Sequence, residues 1–438
     1  MMITRAFYKS TSRVFISYNK FLNKNCFSTY SSKNVTDLLG KAFSSQVQIK
    51  SIIQLSTLEN LNMVQRIVID NPSHKVPQSV ILKQFLTDAY SKNDKEVLDR
   101  FTKDWAGLEF LNNLTAFKSR KFYGGSYEER FILMEDLGER HISLVDYLTV
   151  EDQVLAKRAL ERFMKCLGEF HAHTYKNTDH YTEILLRLNP DANNSKLQFK
   201  NIPLILKQIG IYYTSNIHEE VTNVIHSTLM PNPFLTFVHS DICPDNVFDN
   251  PKTNQMHIID FEHAYIGNAL LDGTCLRMNM PSCWCAKALP KELVQSLELI
   301  YRKELVKIIP SAINDYLYDK AYADSCAYWF LQAVASIPRV LNQDILIPSG
   351  NLPKESKWKS ETNLLRPRII SAFENFIEVS KEHDHLTHLR YLSDNLLDIF
   401  KVQWHDTGPL DMYPVFMLDT RSEITVTGDY IISRQDDE

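Results

Sequence analysis

A chain of 438 residues is longer than one small core can use, so two or three folding units are expected. Its make-up, 44% hydrophobic and 23% charged, is that of a globular protein, and a formal net charge of −5 argues against nucleic acid as a partner, because phosphate backbones demand a basic surface. No run approaches the roughly 18 apolar residues of a membrane span; the best candidate, Tyr328 to Ile337, is broken by Gln332 and Ser336.

The first 36 residues hold no Asp or Glu, while Arg5, Lys9, Arg13, Lys20, Lys24 and Lys33 are basic. On a helix, Ile3, Phe7, Val14, Tyr18 and Phe21 share one face, and Arg5, Lys9, Arg13, Lys20 and Lys24 lie opposite; Ile16 is the exception. An amphipathic, acid-free, Ser/Thr-rich start is the pattern of a mitochondrial transit peptide, and residues 1–33 are expected to be disordered or removed. Without those six basic side chains the balance moves from −5 to −11.

Downstream, Val47-Gln48-Ile49, Met63 to Asp70 and Ser79 to Phe85 are β-branched and apolar between polar turns, which predicts strands. From Asp94 to Phe117 the spacing of Leu98, Phe101, Trp105 and Leu108 predicts a helix. A Gly124-Gly125 turn leads to a buried strand over Phe131 to Met134, and after Gly138 helices dominate, with Leu155, Ala159, Phe163, Leu167 and Phe170 on one face. The fold class expected is α+β: a sheet-rich lobe over 34–137, a mainly helical lobe over 138–400, and a tail, 401–438, with a strand-like Ile424 to Ile432.

The seven cysteines are odd in number and scattered, so a disulfide framework is not expected. Cys283 and Cys285 offer half a metal site, but no second Cys/His pair stands at finger-like spacing, and a structural metal is not expected there.

Chemistry concentrates in Phe237 to Phe248 and Met256 to Glu262. An apolar strand delivers a polar loop, a second strand follows, and another polar group arrives at its end. Phosphoryl transfer needs one carboxylate at the acceptor hydroxyl and oxygen ligands for Mg²⁺ on the nucleotide phosphates. Asp241 suits the first task; Asn246 and Asp260 suit the second.

His239-Ser-Asp241-x-x-x-x-Asn246, followed by Ile259-Asp260-Phe261-Glu262, resembles the catalytic and metal-binding motifs of the aminoglycoside phosphotransferase and choline kinase superfamily. Protein kinases carry Arg after the His and Gly after the Phe; here those positions are Ser240 and Glu262. The resemblance implies a protein-kinase-like two-lobe fold, ATP and Mg²⁺ as cofactors, and a small-molecule hydroxyl acceptor such as an amino alcohol, a hydroxylated amino acid or a sugar. It implies Lys83 on the α/β-phosphates with Glu109 as its ion-pair partner. It also implies an adenine-binding hinge at Glu135 to Leu137, and Phe248 and Ile259 as the apolar floor for the ring. His239 is expected to brace the loop, His171 and His173 to pack near it, Asp245 to be solvated, and Asp272 either to support the loop or to cap a helix.

Two rival readings have their own signals. The phosphate-covering loop, Leu55 to Asn60, has no glycine, which is the feature of a catalytically weak or inactive pseudokinase acting as a binding module. His239, Asp241, His257, Asp260 and His263 could form a metal-hydrolase cluster, although His257 and Asp260, three apart on a strand, should point to opposite faces.

Overall fold

A computed structural model of the chain describes residues 30–56, 62–86, 94–192, 199–230 and 232–417. Residues 1–29 of the expected leader, positions 57–60 of the phosphate loop and the strand-like Ile424 to Ile432 lie outside the described residues. Helix α1 (Ser32–Phe43) begins before residue 34, and the Tyr30 hydroxyl donates to Gln65 Oε1 at 2.5 Å. Helix α1 thus begins ahead of the lobe boundary expected at residue 34.

Strands β1 (Ile49–Gln54), β2 (Asn62–Ile69) and β3 (Ser79–Phe85) are followed by helix α2 (Asp94–Asn113), β4 (Phe122–Ser126) and β5 (Phe131–Glu135). The strands form one antiparallel sheet in the order β1-β2-β3-β5-β4. Its central strand is buried on both faces, and the alternation of side chains decides what each face meets. Val80 and Leu82 join Val35 and Leu39 of α1 in a small outer core, whereas Ile81 and Phe85 join the main core. Lys83 shares the face of Ile81 and Phe85 and so points toward α2 and the helical lobe.

The helical lobe opens with β6 (Ile142–Ser143), α3 (Leu144–Thr149), α4 (Gln153–Thr174), α5 (Thr178–Leu188), α6 (Ile202–Gln208) and α7 (Ser215–Leu229). Leu160, Phe163, Leu167 and Phe170 of α4 are fully buried, each such side chain contributing about 1.5–3 kcal/mol. Leu155, expected on that face, is exposed in the first turn beside the Asp152 N-cap. Strands β7 (Leu235–Val238), β8 (Val247–Asn250), β9 (Gln255–Ile258) and β10 (Tyr265–Asn268) then make two small sheets, β10-β7 and β6-β8-β9. Helices α8 (Leu270–Gly273), α9 (Lys291–Leu305), α10 (Asp315–Val340), α11 (Leu365–Glu382) and α12 (Thr387–Gln403) complete the lobe.

The small antiparallel sheet beside a larger helical lobe is the α+β arrangement expected from the sequence. Among the described residues, no helix is long and apolar enough to cross a membrane. The two parts meet where α2 passes the loop after β9: a Cβ at Gly107 would lie 2.7 Å from Phe261 Cβ, so only glycine permits this approach.

Candidate active site

The loop between β7 and β8 is held from behind by one buried carboxylate. Asp272, in α8 and fully buried, accepts the backbone N–H groups of His239 at 2.7 Å and Ser240 at 2.9 Å. His171 Nε2 lies 3.2 Å from the same carboxylate, and its Nδ1 lies 2.8 Å from the Tyr301 hydroxyl. Ser240 has φ +68°, a left-handed conformation that costs a non-glycine residue about 1–3 kcal/mol and persists only where its surroundings fix it. Asp272 thus supports the loop, and its position in a four-residue helix is secondary.

His239 braces the same loop. The Asp241 N–H donates to its Nδ1 at 3.3 Å, so Nε2 carries the proton and donates to the Ile259 carbonyl at 2.8 Å. That bond ties the β7–β8 loop to the end of β9. Asn246, in a 3₁₀ turn (Pro244–Asn246), donates through Nδ2 to the Asp241 carbonyl at 3.1 Å, and its own carbonyl accepts the Ile259 N–H at 2.9 Å. The amide orientation leaves the Asn246 oxygen as the atom available to a cation.

Asp241 is half-buried. Burial pushes its carboxyl up to about 7, Cys283 and Asp260 add to the rise, and a hydrogen bond from Ser282 opposes it. A carboxylate so placed titrates in the range useful to a general base.

Asp260 follows β9 with φ +71°, and its Oδ1 lies 2.7 Å from Lys83 Nζ. Lys83 Nζ also lies 2.8 Å from Asp104 Oδ2 and 3.2 Å from Glu262 Oε2. Burial alone would lower the lysine, but the charges of Asp104, Asp260 and Glu262 outweigh it and hold Lys83 protonated. Arg100 completes the cluster, its NH2 2.7 Å from Glu262 Oε1. Burial would raise Glu262; Lys83 and Arg100 overcome that and hold it well below the usual carboxylate range. Three carboxylates therefore face two cations, and Asp260, with 31% of its side chain exposed, opens to the cleft. Surplus negative charge on oxygen ligands fits Mg²⁺.

Glu109 is not the partner of Lys83. It accepts from Arg187 NH2 at 2.7 Å and from Trp105 Nε1 at 2.9 Å on an outer face of α2. Five residues of helix rotate the chain by about 140° relative to Asp104, so both cannot face the lysine. Asp104 was legible as an acidic residue within the apolar face marked by Phe101 and Leu108.

At the hinge, the Glu135 N–H donates to the Lys121 carbonyl at 2.9 Å and the Glu135 carbonyl accepts from Arg120. Asp136 accepts from Arg66, Ser79 and the Gly138 N–H. The Leu137 carbonyl meets His141 Nδ1. Below the hinge, Ser143 of β6 pairs with Phe248, and both Phe248 and Ile259 are half-buried on the β8–β9 hairpin side.

Asp245 is not solvated as expected. Its Oδ2 accepts Trp284 Nε1 at 2.7 Å, its Oδ1 is buried, and burial reinforced by Cys283 pushes it up to about 7. The His/Asp hydrolase cluster is not assembled: His257 faces His141 instead, with ring centroids 5.3 Å apart. Among the described residues, the group of His, Cys, Asp and Glu close enough to share an ion is Cys243, Asp245 and Cys283.

Residues 109–297 match the model of the phosphotransferase enzyme family. Similar solved structures include a choline kinase from Streptococcus pneumoniae, at 13% identity over 79% of this chain and 99% of that one, with a TM-score of 0.38. A choline kinase from Cryptosporidium parvum Iowa II is 12% identical over 84% and 100% of the two chains, with a TM-score of 0.41. Amicoumacin kinase in complex with AMP-PNP and Ca²⁺ is 13% identical over 87% and 95%, with a TM-score of 0.42. No curated protein matches the chain by sequence. The matched segment contains the loop residues from His239 to Asp272, in keeping with the resemblance drawn from its motifs.

Proposed function

We propose that this protein transfers the γ-phosphoryl group of ATP, with Mg²⁺, to a hydroxyl of a small-molecule acceptor. The observation that carries the reading is the Lys83–Asp104–Asp260 cluster, buried at Lys83 and Asp104 and open to the cleft at Asp260, beside the Asp241–Asn246 loop. Lys83 would pair with the α/β-phosphates, and Asn246 and Asp260 would hold Mg²⁺ through oxygen. A bound Mg²⁺ supplies neutralisation of phosphate charge. Asp241 orients the acceptor hydroxyl and takes its proton, and the raised carboxyl makes that transfer efficient near neutral pH. Adenine would lie at the Glu135–Gly138 hinge above Phe248 and Ile259. The acceptor is selected by the 176–236 insertion and the helices after residue 270. The acid-free amphipathic leader supports import into mitochondria, and hence an acceptor from that compartment's own metabolism.

Thermal melting of residues 30–438 with ATP and Mg²⁺, beside Asp260→Ala, tests this reading. A ligand at 100 times its dissociation constant stabilises the native state by about 2.7 kcal/mol. A Mg²⁺-dependent rise in Tm, lost in the variant, is expected; no rise at millimolar nucleotide would overturn it.

A further inference from the structure

Beside Asp241 lies a second group of ligand atoms that phosphoryl transfer does not use. Cys243, Asp245 and Cys283 bring one sulfur or carboxylate oxygen each to within 4.8 Å of one another. Two come from the catalytic loop and its 3₁₀ turn, and the third from the segment that follows α8. Both sulfurs are buried. Asp245 is the telling member: Oδ2 is bonded to Trp284, while the buried Oδ1 has no hydrogen-bond partner. A buried oxygen left without a partner costs about 1–3 kcal/mol unless something fills the position.

The surroundings suit an ion bound through sulfur. Cys285 Sγ lies 2.9 Å from Cys283 Sγ, and the Cys285 N–H donates to that sulfur at 3.3 Å. Arg368 donates to the carbonyls of Cys283 and Trp284, fixing that segment. Two thiolates and a carboxylate exceed a divalent cation by one charge, which the guanidinium offsets. The Tyr413 hydroxyl, within electrostatic reach of the same sulfurs, is also buried without a partner.

We propose that Cys243, Asp245 and Cys283 form a binding site for a thiophilic divalent cation of the Zn²⁺ class, separate from the Mg²⁺ position at Asn246 and Asp260. Tetrahedral bonds of about 2.3 Å to sulfur and about 2.0 Å to oxygen place ligand atoms roughly 3.5–3.8 Å apart, so, from the 4.8 Å limit, no pair closes by more than about 1.3 Å. Sulfur ligands favour such a metal over Mg²⁺. On binding, the Cys243 and Cys283 thiols each release a proton to solvent. The Cys243 thiol now donates to Asp241 Oδ1 at 3.6 Å, so loading the site removes a donor from the carboxylate beside it.

Cobalt titration of the full chain in excess Mg²⁺ tests the proposal without reference to turnover. The expected result is a thiolate-to-cobalt charge-transfer band that saturates at one ion per chain and is displaced by Zn²⁺. It is lost in Cys243→Ser and Cys283→Ser, retained in Cys166→Ser, and shifted to at least about tenfold weaker binding in Asp245→Asn. Circular dichroism confirms that each variant is folded, and if the cysteine variants unfold, Asp245→Asn decides alone. No charge-transfer band, or a band with unchanged affinity in Asp245→Asn, overturns the proposal and makes the cluster a metal-free thiol network.

Discussion

Asp104 joins three parts of the molecule at once: its Oδ2 lies 2.8 Å from Lys83 Nζ of the sheet, and its Oδ1 accepts the Phe261 N–H at 3.0 Å. A single carboxylate on α2 thereby fixes the strand lysine and the backbone beside Asp260. Removing one partner of a buried ion pair costs about 3–5 kcal/mol, whereas a largely exposed pair is worth about 0–1 kcal/mol. Asp104→Ala should therefore lower stability by several kcal/mol in urea unfolding and weaken ATP binding. Glu109→Ala should change stability by about 1 kcal/mol or less and leave ATP affinity intact. Equal effects of the two substitutions would refute the assignment.

The Asp241 carboxyl sets a pH dependence of both rate and stability. A base must be unprotonated, so kcat/KM should rise with pH through about 7 and level off above it. For stability the sign is opposite to that of a paired carboxylate. The native state holds this proton up to about pH 7 and the unfolded state only to about 4, so stability from this group falls as pH rises between them. Asp241→Asn should melt higher than the parent protein at pH 8, with the difference shrinking toward pH 4. A lower melting temperature at pH 8 would contradict the burial argument.

Asp272 should behave as a support of the loop and not as a participant in chemistry. Asp272→Asn keeps the shape but loses the charge that two backbone N–H groups and His171 share. Charge-assisted hydrogen bonds are worth about 1.5–3 kcal/mol each. A loss of about 3 kcal/mol or more in stability is expected, with kcat reduced and the nucleotide dissociation constant nearly unchanged. Equilibrium unfolding and nucleotide titration on the same preparation separate these effects.

The leader is testable by itself. Residues 1–33 fused to a fluorescent reporter should direct it to mitochondria, and replacing Arg5, Lys9 and Arg13 with Glu should abolish that targeting. A reporter that stays in the cytosol would dismiss the import reading.

What the sequence revealed and what it hid follow from distance along the chain. Asp241, Asn246 and Asp260 stand close together in sequence around one loop and hairpin, so motif order alone marks them as candidates. The strands were equally plain where burial alternates, as in β2, while β1 carries a mostly exposed face and its extent beyond Ile49 gave little signal. The partner of Lys83 was different. Glu109 and Asp104 lie on one helix; Asp104 falls within the apolar face of Phe101 and Leu108, and the packing of that face near Phe261, which Gly107 permits, turns it toward the lysine. Cys243 and Cys283 are 40 residues apart, and no spacing rule joins them; the packing of the 281–286 segment on the catalytic loop does. Asp245 looked like a loop-surface acid because nothing local announced Trp284 as its donor.

The most direct test of the account is ADP release by the purified protein across a panel of amino alcohols, hydroxylated amino acids and sugars, with Mg²⁺, beside Asp241→Asn. The account predicts acceptor-dependent release with at least one of these classes, reduced by about 10²–10⁴-fold in the variant, matching the usual worth of general-base help. Release that is equal in the two proteins, or Mg²⁺-dependent ATP binding with no turnover on any acceptor, would contradict it. The second result would mark the chain as a nucleotide-binding module.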